Sequence, residues 1–112
     1  MKYVFLICDD ETVSPTMEEI AADPAFHAYG AEVDRRGAAM LGGARLRPVV
    51  DATTVRVRDG ETLVSDGPFA ETKDFIGGID IIECADLDEA IAIAARHPYA
   101  GRGCVEVRPV WE

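Results

Sequence analysis

The sequence predicts an α+β fold in which an antiparallel sheet carries its helices on one face. Two observations support this class. Apolar runs of strand length alternate along the chain with two helical segments, and a short hairpin interrupts the alternation near the middle. At 112 residues, with 48% hydrophobic and 29% charged side chains, the chain has the size and composition of one folded domain, residues 1–112.

The first half of the chain is predicted to contain a strand followed by two helix starts. Residues 2–8, KYVFLIC, form a continuous apolar run that is typical of a central strand covered on both faces. Each helix start pairs a side-chain cap with a proline at the first helical position. The two pairs are Ser14-Pro15 and Asp23-Pro24. The second pair opens the longer helix, which Gly37 is expected to end.

The middle of the chain is predicted to be extended. Residues 41–50 read as a strand, and Pro48 indicates that its later part lies at a sheet edge or a bulge. Residues 53–58 alternate valine with arginine, as a half-exposed strand does. Asp59-Gly60 is a strong hairpin turn, so residues 62–65 are expected to return antiparallel.

The last third is predicted to contain a strand at residues 78–84, a helix capped by Asp86, and a final strand at residues 103–111. Glu89 at the third helical position completes a capping box. The apolar stripe of this helix is predicted to be Leu87, Ala90, Ile91 and Ala94. The order of strand, helix, strand, hairpin, strand, helix, strand folds most simply as a ferredoxin-like βαβ-βαβ sheet with an inserted hairpin.

The second face of this sheet needs a cover. Strands as apolar as residues 3–8 and 79–84 would otherwise expose several hundred square ångströms of apolar area, about the limit for monomers. We therefore expect a homodimer that packs sheet against sheet.

Charge and cysteine content exclude several partner classes. With 21 acidic and 11 basic side chains, the net charge of -10 repels phosphate backbones and anionic lipid, so neither direct nucleic-acid binding nor a membrane partner is expected. The apolar N-terminal run is too short for a membrane span or a signal sequence. The three cysteines lack CxxC spacing, which favours buried reduced thiols, no metal site and a cytoplasmic location.

Three blocks of sequence resemble a known family. TTVRVRDGETLVSDGPFAETKD, DLDEAIAIAARHP and GCVEVRPVW are similar to the YCII-related proteins of the DGPF subgroup, and the likeness runs from MKYVFLIC to VEVRPVW. The resemblance implies a dimeric α+β barrel built from ferredoxin-like protomers. For function it implies little, since most members have no assigned reaction. The wider superfamily includes small acid/base catalysts, and genes of the subgroup lie near those of alternative sigma factors.

His27 and Asp66 are the candidate catalytic pair. A histidine side chain ordinarily exchanges a proton near neutral pH, so His27 is suited to proton transfer if a carboxylate orients its ring. Asp66, in the stretch SDGPFAETK, stands at a strand end beside a flexible glycine. The alternatives are an Asx turn for Asp66 and a solvent-facing helix flank for His27.

The candidate ligand-binding residues are Arg45, Phe69, Glu71 and Lys73. Arg45 or Lys73 would hold an anion, and Phe69 is expected to plug the edge of the core. Glu71 and Lys73 could equally form a solvated ion-pair cluster. His97, at a helix end before a proline, is interpreted as stabilising the helix dipole rather than as catalytic.

The leading functional hypothesis is a cofactor-independent acid/base enzyme, of lyase or isomerase type, acting on a small organic anion. The alternative is a non-catalytic ligand sensor or regulatory partner of an alternative sigma factor, whose basic surfaces would suit the acidic chain. A third possibility is a pseudo-enzyme that retains only the dimer scaffold. The sequence contains no phosphate loop, zinc spacing or nucleophile elbow, so neither a cofactor nor a metal is expected.

Overall fold

The computed structural model describes residues 1–9, 15–69 and 75–112. Its elements, in chain order, are β1 (Lys2–Asp9), α1 (Met17–Ala22), α2 (Pro24–Arg35), β2 (Ala39–Arg45), β3 (Thr53–Arg58), β4 (Glu61–Asp66), β5 (Phe75–Glu83), α3 (Leu87–Ala94) and β6 (Cys104–Pro109). Short 3₁₀ turns lie at Val49–Asp51 and Pro98–Gly101. The α+β class is confirmed. In this described part of the chain, no helix has the length and apolar composition that crossing a bilayer requires.

Four strands form one antiparallel sheet, in the order β2-β5-β1-β6. With the hairpin strands set aside, the spatial order is second, third, first, fourth, which is consistent with a ferredoxin-like arrangement. Within the described ranges, the strands β3 and β4 pair with each other and with no other strand, as the predicted inserted hairpin.

The two faces of the sheet differ in burial. Tyr3 and Phe5 on β1 and Ile82 on β5 are fully buried beneath the helices. The remaining core residues are Tyr29, Val33, Cys84, Ala90, Ile93 and Ala94. On the opposite face, Leu6 pairs with Ile79 across β1 and β5, and these side chains are only half-buried. The sheet is therefore covered by helices on one face only.

The first helix begins differently from the prediction. Its cap is Thr16, whose hydroxyl accepts the Glu19 N–H at 3.0 Å, while the Glu19 carboxylate accepts the Thr16 N–H at 3.1 Å. This reciprocal capping box satisfies two backbone donors at once, which a Ser-Pro start does not. The predicted cap, Ser14, lies outside the described residues.

Both predicted ends of α2 are confirmed. Asp23 caps the helix by accepting the Ala25 N–H at 2.8 Å. At the other end Gly37 has φ of 69°, and its N–H donates to the Asp34 carbonyl at 3.0 Å. The following N–H, of Ala38, donates to the Val33 carbonyl at 3.1 Å, which completes a Schellman motif.

The strand β2 is shifted from the predicted residues 41–50. It starts at Ala39 and ends at Arg45, with a bulge between Met40 and Gly42, and it lies at the edge of the sheet. Pro48 has no N–H to donate to a neighbouring strand and is followed by a 3₁₀ turn, which explains the early end. The strand itself lies at the sheet edge, but its predicted later part, around Pro48, is not strand.

The hairpin agrees closely with the prediction. Asp59 and Gly60 both have positive φ, 51° and 78°, as a two-residue turn matched to strand twist requires. Val55 lies opposite Val64 in the register, and both side chains are exposed.

The helix α3 has the predicted cap but a different buried stripe. Asp86 accepts the Glu89 N–H at 2.9 Å, and Glu89 in return accepts the Ala85 N–H at 3.1 Å. Ile93 is fully buried, whereas Leu87 and Ile91 are 48% and 52% exposed. The predicted stripe is therefore wrong at two positions, because a helix of eight residues lets either of two overlapping apolar faces dock on the sheet.

The three cysteines are not all buried, contrary to the prediction. Cys84 lies in the core, Cys8 is half-buried and Cys104 is exposed. Cys104 begins the edge strand β6 on the face of the sheet that the helices leave uncovered, where alternation places it opposite Cys8.

Two alanine substitutions test the extent of α2. The Gly30→Ala variant should raise the free energy of unfolding by about 0.5–1 kcal/mol, because alanine favours helix interiors and the added Cβ meets nothing within 4 Å. Gly37→Ala should lower it by about 1 kcal/mol, because φ of 69° strains any residue with a Cβ. Urea unfolding measures both, and changes of the same sign would contradict the helix end at Arg36.

Candidate functional site

A cavity of about 600 Å³ lies between the helices α1 and α2 and the covered face of the sheet. We call it the main cavity. Its apolar walls are Ile7, Met17, Ile20, Phe26 and Met40. Its polar or aromatic side chains are Tyr29, Arg45, Asp80, His97 and Tyr99. A mostly apolar cleft with a few convergent polar groups is the usual form of a small-molecule site.

The floor of the main cavity is made by strand residues without side chains. Gly43 on β2 and Gly78 on β5 face the helices in the sheet register, and Gly77 also lines the cavity. A Cβ built on Gly43 would collide with Oδ1 of Asp80. Glycine at this position therefore leaves the space that the Asp80 carboxylate occupies.

Asp80 is held by a hydrogen bond from the helix α2. The Tyr29 hydroxyl donates to Asp80 Oδ2 at 2.8 Å. Burial raises the pKa of the Asp80 carboxyl above its ordinary value of 3.8, and the Tyr29 bond opposes that rise. The pKa of Tyr29 is raised in turn by burial and by the Asp80 charge, so the phenol stays protonated and donates. Asp80 is thus a positioned carboxylate in an apolar cleft.

His97 is a neutral, buried imidazole on the wall of the main cavity. It is 7% exposed, and desolvation lowers its pKa from 6.5 to about 4. Its Nδ1 accepts the Tyr99 N–H at 3.0 Å, so the single ring proton resides on Nε2. Its ring packs edge-on against Tyr29 with centroids 4.8 Å apart. The predicted dipole role is therefore wrong, because it requires a charged ring.

Arg45 brings a positive charge to the same cavity. It lies opposite Gly78 while Gly43 lies opposite Asp80, so Arg45 and Asp80 are diagonal neighbours on one face. Its Nη1 donates to Met17 Sδ at 3.4 Å. Among the described residues Arg45 makes no ion pair, so its charge is available to a ligand.

The predicted pair, His27 and Asp66, lies away from the main cavity. His27 is exposed on α2, where Nε2 is 2.5 Å from the Ala21 carbonyl oxygen of α1. Asp66 ends β4 in the hairpin, opposite Thr53, and is also exposed. Neither is among the described residues that line the cavity, and no hydrogen bond joins them. Their catalytic roles stay predictions.

The remaining predicted ligand residues divide between exposed and undescribed positions. Phe69 is 77% exposed, so the expectation that it plugs the core edge is wrong. The preceding Gly67, with φ of 93°, donates its N–H to the Ala52 carbonyl at 2.8 Å, which keeps the chain beside the hairpin rather than the core. Glu71 and Lys73 lie outside the described residues, and their ligand-binding roles stay predictions.

The sequence held one signal for the residues that were missed. Asp80 is a carboxylate inside the apolar run GIDII, where a charge needs a partner or a function. Its partner, Tyr29, is 51 residues away in sequence, and spacing alone does not reveal that contact. Within residues 1–9, 15–69 and 75–112 there is no cluster of three or more metal-ligating side chains.

Because His97 is neutral in the folded protein, lowering the pH should reduce the free energy of unfolding already at pH values above those at which carboxylates usually titrate. Between pH 6.5 and 4 the unfolded chain binds a proton that the folded chain does not, so stability falls as pH is lowered. From pH 7 to pH 5 this residue should cost about 2 kcal/mol of unfolding free energy. In His97→Asn, which keeps an acceptor for the Tyr99 N–H, the pH-induced loss should be smaller by that amount.

Urea unfolding at pH 7 and pH 5 gives the loss of unfolding free energy for each protein, and the test compares the loss in the wild type with that in His97→Asn. His27→Asn removes the other histidine of the chain and serves as the matched control. An equal loss in the wild type and His97→Asn would contradict a neutral buried ring at this position.

The comparison with protein families identifies one family. The family model described as the YCII-related domain matches residues 1–112. An uncharacterized protein of Rhizobium meliloti (strain 1021) is 40% identical over 115 residues, covering 98% of this chain and 92% of that protein. The family-level resemblance seen in the sequence is thereby confirmed. The chain belongs to the YCII-related family.

Proposed function

We propose that the protein binds a small organic anion in the main cavity and transfers a proton with Asp80 as the base. The observation that carries this proposal is the Asp80 carboxylate, oriented by the Tyr29 hydroxyl at 2.8 Å inside an apolar cleft. Strongly positioned titratable groups in clefts are concentrated at functional sites. The earlier hypothesis of acid/base chemistry is kept, with Asp80 in place of the His27–Asp66 pair.

Ligand binding would combine apolar contact with one charge interaction. The walls formed by Phe26, Ile20 and Met40 suit an apolar body. Arg45 presents a planar guanidinium that matches the geometry of a carboxylate. Because the overall charge of the chain is -10, an anion is favoured only where such a local cation lies.

The proposed step transfers one proton between two carbons of the ligand and releases no second molecule. Asp80 takes a proton from a carbon next to a carbonyl group, and the electron pair of that C–H bond moves onto the carbonyl oxygen. The neutral Nε2–H of His97 donates a hydrogen bond to this developing oxyanion. Asp80 then returns the proton to a second carbon of the ligand, so the net reaction is an isomerisation. Asp80 carries the proton between the two carbons, His97 donates the hydrogen bond to the oxyanion, and Tyr29 holds Asp80 in position.

Environment makes Asp80 a better base than an exposed aspartate. A carboxylate whose pKa is raised toward the working pH holds the abstracted proton more tightly. Tyr29 limits that rise and fixes which oxygen is free, since its hydroxyl occupies Oδ2. We assign Oδ1, which lies beside Gly43, as the oxygen that accepts the proton.

Proton exchange in heavy water tests the proposal without knowledge of the natural substrate. A panel of 2-oxo and β,γ-unsaturated carboxylates is incubated with the protein in D₂O, and loss of C–H signals is followed by NMR. We expect exchange by the wild type and a loss of at least about 100-fold in Asp80→Asn. The wild-type rate should rise with pH through the Asp80 pKa, which lies above 3.8.

A pair of glycine variants on neighbouring residues provides the matched control. Gly43→Ala displaces the Asp80 carboxylate and should lower exchange, whereas at Gly42 a Cβ meets nothing within 4 Å and exchange should persist. Exchange in Asp80→Asn at the wild-type rate would refute Asp80 as the base. Binding without exchange would support the ligand-sensing alternative instead.

The homodimer predicted from the sequence is also part of the proposal. The uncovered face of the sheet carries the paired side chains Leu6–Ile79 and Val4–Ile81, which the helices do not reach. A second copy packed on this face would bury them. The DGPF subgroup, the cytoplasmic location and a sigma-factor partner stay predictions, supported by the sequence resemblance and composition alone.

A charge placed on the uncovered face tests the dimer. The wild type should sediment at twice the monomer mass, and Ile81→Glu should sediment as a monomer, because a buried unpaired carboxylate is costly. Val55→Glu adds the same charge to an exposed valine of the hairpin and should leave the mass unchanged. A monomeric wild type at micromolar concentration would rule the dimer out.

A further inference from the structure

The main cavity opens into a second cavity of about 550 Å³ near the end of the sheet, and the two share Met17, Arg45, Gly77 and Tyr99. We propose that this second cavity is the subsite for a head group with two negative charges, held between Arg45 and Arg47. The inference rests on the proposed function of the main cavity and specifies the class of its ligand. That class is a dianion, either a dicarboxylate or a phosphate ester, with an apolar body.

Both arginines line the second cavity from the same segment of chain. Arg45 is the last residue of β2. The next N–H, of Leu46, still donates to the Gly77 carbonyl at 2.9 Å, so the backbone continues beside β5 as it reaches Arg47. Arg45 and Arg47, two residues apart in one segment, therefore both line this cavity, and the Arg47 side chain is 85% exposed.

The charges of these arginines are only partly used within the protein. Arg47 donates its Nε–H to Asp51 Oδ2 at 3.0 Å, which leaves the four N–H groups of its two Nη atoms. Arg45 donates to the uncharged sulfur of Met17. The carboxylate that lines this cavity, Asp9, is bonded to Arg102. Among the described residues that line this cavity, two arginines stand against one carboxylate.

The two cavities differ in chemistry, and this difference fixes the orientation of the ligand. The main cavity is apolar and contains the Asp80 carboxylate, which repels a second anion. The second cavity offers the two cations. A molecule with an apolar body and a dianionic end would place its body against Asp80 and its charges at the arginines.

Gly77 and Tyr99 line both cavities. A Cβ at Gly77 would come no closer than 3.9 Å to the Ile7 carbonyl oxygen, so the backbone there is not crowded. The Tyr99 ring centroid lies 4.3 Å from the Arg102 guanidinium carbon, and Arg102 is paired with Asp9. The proposed ligand therefore extends over Gly77, beside a tyrosine whose position the Asp9–Arg102 pair supports.

Calorimetric titration with four probes of similar apolar body tests the inference. The probes are phenylsuccinate and phenyl phosphate as dianions, 3-phenylpropionate as a monoanion and 3-phenylpropionamide as a neutral molecule. We expect the better dianion to bind at least about tenfold more tightly than the monoanion, as one added charge-assisted contact implies. The preferred dianion distinguishes a carboxylate pair from a phosphate.

Three arginine variants separate the two subsites. Arg47→Gln should remove the tenfold preference for the dianion and leave monoanion affinity unchanged, whereas Arg45→Gln should weaken both. Arg58→Gln makes the same charge change on the hairpin, where Nη1 donates to the Val57 carbonyl, and should alter neither affinity.

The outcomes distinguish this inference from the proposed function. Monoanion binding that depends on Arg45, without a preference for the dianion, would overturn the dianion subsite and leave the proposed function standing. Equal weakening of both probes by Arg47→Gln would overturn it as well. Failure of all three anions to bind more tightly than the amide would overturn both.

Discussion

The register of β1 between β5 and β6 is the constraint on which the other features depend. Side chains alternate between faces with a period of two, so a slip of one residue would exchange the buried and the uncovered sets. The observed register buries Tyr3 and Phe5 under the helices. Through the pairing with β5 it also sets the face on which Asp80 lies. Core and candidate site are thus fixed by one set of backbone hydrogen bonds.

Features determined by neighbouring residues could be predicted from the sequence. The Asp59-Gly60 turn, the Asp23 and Asp86 caps and the end of α2 at Gly37 are each specified by the conformational preferences of one to four residues. The ferredoxin-like order followed because these local elements admit few compact arrangements. The boundaries of β2 were less accurate, since its pairing with β5 is a contact between distant segments.

The candidate site was harder to predict because its parts meet only after folding. Tyr29 and Asp80 come from opposite halves of the chain, and His97 owes its neutral state to burial that its sequence context did not reveal. Arg45 was named from the sequence as one of two candidate anion holders, and it lines the main cavity. The DGPF stretch drew attention for its dense chemistry, yet the described part of it follows an exposed hairpin and ends in the exposed Phe69.

The glycine floor separates the residues that set the shape of the cavity from those that stabilise the fold. The buried core includes Phe5 and Ile82 on the helix side of the sheet, while the floor of the cavity is formed by Gly43, Gly77 and Gly78. The cavity volume therefore depends on the absence of side chains at these glycines rather than on the packing of the core. Of the three floor glycines, Gly77 has room for a methyl group, with its nearest atom at 3.9 Å, whereas a methyl group at Gly43 would move the Asp80 carboxylate. Within one family, ligand preference is therefore expected to change at Gly77 with the helices left in place, while Gly43 and Asp80 are expected to change together.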